Sequence, residues 1–164
     1  MATVRIPLTT PLRQRLALIE AKALEGARAR SVIALARALC EQGGRGPWWW
    51  LRPLVAVQAL PIVGDAAGVD EYRDAVETLA RGGDCANKTA LLAALYIAAR
   101  PFCGRSSVSV AWEHCGRDCA FDHVRLGLRV DDRSWMLDAL SPGLLPGDRA
   151  VSWAPQEIVL GRWL

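Results

Sequence analysis

At 164 residues with a formal net charge of +3, the chain is long enough to bury one sizeable core and too weakly charged to imply a nucleic-acid or membrane-surface partner. Apolar residues make up 52% and charged residues 23%, a globular balance that excludes overall disorder. The longest uninterrupted apolar run, Ala90 to Ala99, falls far short of the roughly 20 residues that a bilayer span needs.

The N-terminal stretch MATVRIPLTTPLRQRL has neither the apolar h-region nor the small-residue cleavage site of a secretory signal, so a cytoplasmic protein is expected. Thr10 is read as an N-cap and Pro11 as the first helical residue, where a missing N–H costs nothing. Leu12, Leu16, Ile19 and Ala23 then share one helical face. Gly26 divides this region, Ser31 opens a second helix through Val32, Leu35, Ala36 and Leu39, and Gly43-Gly44 ends it. Residues 43–70 carry Pro47, Pro53, Pro61 and the run Trp48-Trp49-Trp50, and no periodicity is legible there. A short helix is expected from Glu71 to Ala80. Gly82-Gly83-Asp84-Cys85 follows, then a segment from Ala86 to Ala99 that is apolar almost all round and reads as a buried helix closed by Pro101.

Beyond residue 105 the period changes to two. Val108, Val110 and Trp112 form one strand pattern, Val124, Leu126, Leu128 and Val130 a second, and Trp135, Leu137 and Ala139 a third. Helices first and an antiparallel meander second define an α+β class, in one domain spanning 1–164.

Cys85 is the first residue with chemistry to explain. It opens the buried helix, where unpaired backbone N–H groups and the positive end of the helix dipole favour thiolate. Asp84 is placed to cap that helix. A two-residue loop at Asp131-Asp132 would set His123 opposite Leu140, with Asp138 on the same face as a diagonal neighbour. Diagonal Cβ atoms lie roughly 7 Å apart, within reach for a carboxylate to orient an imidazole.

At these residues the sequence resembles the transglutaminase-like branch of papain-fold proteins. The likeness is carried by GGDCANKTALLAAL (82–95), DHVRLGLRV (122–130) and WMLDAL (135–140), with EYRDAVETLARGGDC leading in. In size and style the chain is similar to short transglutaminase-like proteins of bacterial and phage genomes. The resemblance covers residues 71–140; the helices of 1–42, the tryptophan segment 43–70 and the tail 141–164 carry little of it. It implies a papain-like fold with the nucleophile helix packed on an antiparallel sheet. It also implies a catalytic triad of Cys85 as nucleophile, His123 as base and Asp138 as orienting carboxylate. Asn87 departs from the acidic residue common in relatives, and Ala139-Leu140 from the commoner proline or threonine. Transglutaminases proper stabilise the oxyanion with an upstream tryptophan, which makes Trp48, Trp49 or Trp50 a candidate beside the Cys85 backbone N–H.

The implied reaction is cysteine-nucleophile acyl transfer at an amide or peptide bond, with hydrolysis through a thioester and a protein or peptide as substrate. No cofactor is called for. A phage-encoded relative would also admit a virion-associated place. The alternative is a non-catalytic binding or structural module on the same fold, with the tryptophans as its contact. Within it, Cys103, Cys115, Cys119 and His123 have spacings compatible with zinc. His114 reads as a loop residue, and the five cysteines are expected to be mostly reduced.

Overall fold

The computed structural model describes residues 3–43, 49–104, 106–114, 122–130, 133–141, 157–160 and 164. A short strand β1 (Val4–Pro7) leads into helices α1 (Leu12–Gly26) and α2 (Arg30–Gly43). Then come α3 (Leu51–Gln58), strand β2 (Val69–Tyr72), α4 (Ala75–Arg81) and the long helix α5 (Cys85–Cys103). Strands β3 (Ser106–His114), β4 (Asp122–Val130), β5 (Arg133–Leu137) and β6 (Glu157–Leu160) complete the described chain. The class is α+β.

The main sheet is antiparallel in the order β5-β4-β3-β6, and β1 pairs with β2 in a separate two-stranded ribbon. Helix α5 is the centre of the molecule. Leu91, Leu92, Ala93, Leu95 and Tyr96 are fully buried, because α1, α2, α3 and α4 pack around the helix and β3 and β4 lie against it. Its apolar residues face all directions for that reason. Leu126 and Leu128 of β4 and Leu137 of β5 are equally buried and join the same core. Among the described residues, no helix is long and apolar enough to cross a membrane.

Several elements depart from the sequence reading. α1 begins at Leu12 with Pro11 in the cap position and no side-chain cap; the Pro11 carbonyl accepts from Gln14 N at 2.9 Å and Arg15 N at 3.2 Å. The segment expected to be irregular contains α3, which tolerates Pro53 because it falls in the first turn, where backbone N–H groups have no helical acceptor. The helix expected from Glu71 starts later, at Ala75. Residues 69–72 instead pair with β1, a partner too far away in the chain for local periodicity to reveal. Asp74 then caps α4, its side chain accepting from Glu77 N at 2.8 Å. Pro101 does not close α5, which runs on to Cys103 before Gly104 ends it at φ 108°.

The expectation of reduced thiols is corrected at two positions. Cys40 near the end of α2 and Cys103 at the end of α5 are joined by a disulfide with Cα atoms 5.7 Å apart. Packing of α2 along α5 brings together residues separated by 63 positions, which no spacing rule could anticipate.

Candidate active site

The turn that presents Cys85 is built by its two glycines. Gly82 has φ +85°, a left-handed conformation, and a Cβ there would run into the Pro61 carbonyl oxygen. Gly83 N donates to that same oxygen at 3.2 Å, and Val63 N donates back to Gly83 O at 3.2 Å. Segment 61–63 is thereby stitched to the entrance of α5. Asp84 caps the helix as expected: its Oδ1 accepts from Asn87 N at 2.9 Å and from Asn87 Nδ2 at 2.8 Å. Asn87 is almost fully buried and uses the rest of its amide to accept from Arg73 N at 2.6 Å and to donate to Glu71 O at 2.8 Å. Asn87 thereby ties β2 and the approach to α4 onto the first turn of α5.

Cys85 is half-buried and is a free thiol. Backbone N–H groups of Val124 and Ala86 favour its ionised form. Thr89, one turn further along α5, donates to Val124 O at 3.3 Å. The start of α5 is therefore fixed to β4 at the residue following His123. The hairpin register is as the two-residue loop requires, with Val130 opposite Arg133 and Leu126 opposite Leu137. His123 Nε2 lies 2.8 Å from Asp138 Oδ2, and both side chains are buried. A carboxylate only accepts, so Nε2 carries the proton in this bond. Leu140 N and Ser141 N donate to Asp138 Oδ1 at 2.8 and 3.1 Å, and Arg125 Nε stands 3.6 Å from Oδ2.

The electrostatics divide the site. Burial alone would raise the Asp138 carboxyl. The bond to His123, the imidazole's charge and the two backbone N–H groups overcome it and hold the group down at about 2. Cys85 goes the other way. Burial first, then the Asp84 charge, push its thiol up to about 12, against the pull of the Val124 and Ala86 N–H groups. The expected resting thiolate is thus corrected: the helix terminus is outweighed by desolvation and by a neighbouring acid. Asp84 is itself pushed up to about 7, by burial and by the neighbouring Asp65 carboxyl; Asn87 N and Arg73 oppose the rise. Arg73 Nη2 sits 3.6 Å from Asp65 Oδ1 and 3.2 Å from Glu71 Oε2, giving this acid pair its counter-charge.

Trp49 and Trp50 are elsewhere. Trp49 packs edge-on against Tyr96 with centroids 6.2 Å apart, Trp50 stacks on Trp135 at 4.9 Å, and the Trp50 carbonyl accepts from Tyr96 Oη at 2.6 Å. Tyr96 lies about 16 Å along α5 from Cys85 at the helical rise, so Trp49 and Trp50 anchor the far end of the core and do not accompany the thiol. Trp48, Cys115 and Cys119 lie outside the described residues, and His114 ends strand β3. The zinc alternative loses Cys103, which is bonded to Cys40. Among the described residues no group of His, Cys, Asp and Glu side chains is arranged to hold a metal ion.

Gln58, Lys88, Arg125 and Asp65 were not singled out by the sequence. Lys88 left one signal, a lone lysine in an otherwise apolar helix of an arginine-rich chain. Comparison with protein-family models, with curated proteins and with solved structures gives no match in any of the three.

Proposed function

We propose that the chain is a cysteine-dependent amide hydrolase of the transglutaminase-like kind, acting on a protein or peptide through a thioester acyl-enzyme. The observation that carries this reading is the buried His123–Asp138 bond of 2.8 Å on β4, whose next residue, Val124, accepts at its carbonyl from Thr89 of the helix that Cys85 opens. With Nε2 committed to Asp138, Nδ1 is the ring nitrogen through which a thiol proton passes. In the first step the Cys85 S–H gives its proton to Nδ1 as the sulfur attacks the carbonyl carbon. The Cys85 N–H, at the first position of the helix and without a helical acceptor, is the donor available to the developing oxyanion. His123 then returns the proton to the leaving amine, and the C–N bond breaks to leave a thioester. Water attacks the thioester, His123 takes its proton, and the acid and the thiol are released. Because the resting thiol is neutral, activation belongs to the moment of attack, with His123 as general base.

That same neutral thiol supports a second reading, a binding module that retains the fold without turnover. An amide-based, thiol-reactive peptide probe separates the two. The enzyme reading expects probe adducts mapped to Cys85 in the wild type and none in His123→Ala. Equal labelling of both proteins would favour the module.

A further inference from the structure

Asp138 stands just past the end of β5, outside the strand pairing that fixes His123, so something other than the sheet must set its direction. Its Oδ1 is aimed by Leu140 N and Ser141 N, which leaves Oδ2 for His123. The carbonyl side of the same turn is closed by one side chain. Gln58 Nε2 donates to Asp138 O at 2.8 Å and to Ser141 O at 3.0 Å, spending both amide hydrogens on the two ends of the turn. Gln58 is the last residue of α3, and its own backbone is held in turn. Lys88 Nζ donates to Gln58 O at 3.4 Å and to Leu60 O at 2.7 Å. Lys88 follows Cys85 by three positions on α5 and is fully buried.

A buried ammonium is costly unless fully compensated. Here the compensation comes from carbonyls at the C-terminal end of α3, where helical acceptors are unsatisfied and the dipole is negative. An apolar residue at 88 would fill the core at lower cost, so the lysine points to orientation rather than packing. We propose that Gln58 is a positioning residue for Asp138, holding the turn that aims the carboxylate at His123 and itself held by Lys88 of the nucleophile's own helix. The inference rests on the triad reading above for its functional meaning, but its geometry is testable without a substrate.

The chain has two histidines, so histidine-selective isotope labelling gives a simple imidazole spectrum. In the intact wild-type protein His123 should hold the Nε2–H tautomer with a slowly exchanging ring proton. The Gln58 amide protons should exchange at least about tenfold more slowly than those of the exposed Gln14. Gln58→Met, close in shape but without donors, should speed exchange of the His123 ring proton about tenfold or more while Leu126 and Leu128 amides keep their protection. Lys88→Met should move the ring proton in the same direction, and Lys88→Arg should restore it. A general loss of stability would speed the core amides as well and would count against positioning. An unchanged His123 signal in folded Gln58→Met overturns the proposal, and so does a freely exchanging Gln58 amide in the wild type, a measurement that needs no variant. Absence of probe labelling at Cys85 would count against the enzyme reading alone, because none of these signals depends on catalysis.

Discussion

Asp84 serves two roles that conflict at high pH. As N-cap it needs only an acceptor for Asn87 N, yet once ionised it places a charge beside the Cys85 sulfur. Asparagine caps a helix as well as aspartate does and carries no charge. Asp84→Asn should therefore keep α5 intact and let iodoacetamide alkylate Cys85 about tenfold faster at pH 8.5, the effect of removing one adjacent like charge. Peptide mapping of the alkylated protein reads the rate, and an unchanged rate would show that desolvation alone sets the thiol. The same group predicts a pH trend in stability. Asp84 titrates near 7 in the folded chain and about 4 when unfolded, so folding binds a proton between those values and stability falls as pH rises through 7. Asp138 acts oppositely: its depressed carboxyl contributes stability above about pH 4 that is lost as pH falls towards 2. Asp84→Asn should flatten the first trend and leave the second. At this scale the sequence told much. Cys85, His123, Asp138 and the Asp84 cap were legible because each lies at an element boundary or on a strand of clear alternation. Asp65 was not legible, because its effect on Asp84 depends on burial and a contact across 19 positions.

Helices α2 and α5 are joined at their C-terminal regions by Cys40–Cys103, at the opposite end of α5 from Cys85. A crosslink closing 63 residues of chain restricts the unfolded ensemble and is worth about 4 kcal/mol in the chain-entropy account. Cys40→Ser combined with Cys103→Ser should lower the unfolding free energy in urea by about 3–4 kcal/mol. It should leave the His123–Asp138 bond in place, since the bond and the disulfide sit at different ends of the core. An unfolding midpoint that does not change would contradict this. Elements declared themselves unevenly. α5 and the β3–β4–β5 meander follow from an all-apolar run and from clean period-two alternation, both local signals. β1 and β2 pair with each other from segments far apart in the chain, and α3 is short and begins beside a proline, so neither had a local signature strong enough to read.

For the molecule as a whole, one helix buried among four others and a sheet brings residues far apart in the chain into one site. The thiol, the imidazole and the carboxylate come from α5, β4 and the turn after β5: Thr89 of α5 donates to the Val124 carbonyl, His123 bonds the Asp138 side chain, and Leu140 N aims Asp138 Oδ1. The disulfide also bears on where the protein works, because such bonds persist where thiols are not kept reduced. That weighs against the cytoplasmic origin expected from the N-terminal sequence. The α+β class was readable from the order of periodicities, whereas the separation of Trp49 and Trp50 from Cys85 was not, since it depends on α3 running back along α5. Under the proposed reading, Cys85, His123 and Asp138 act as one unit on an amide carbonyl. The direct measurement is turnover of a responsive peptide amide by folded single and double variants. Cys85→Ala and His123→Ala should each abolish hydrolysis, the double variant should be no worse than either, and Asp138→Asn should retain a small fraction of the rate. Wild-type turnover in folded Cys85→Ala, or losses that simply add in the double variant, would contradict it.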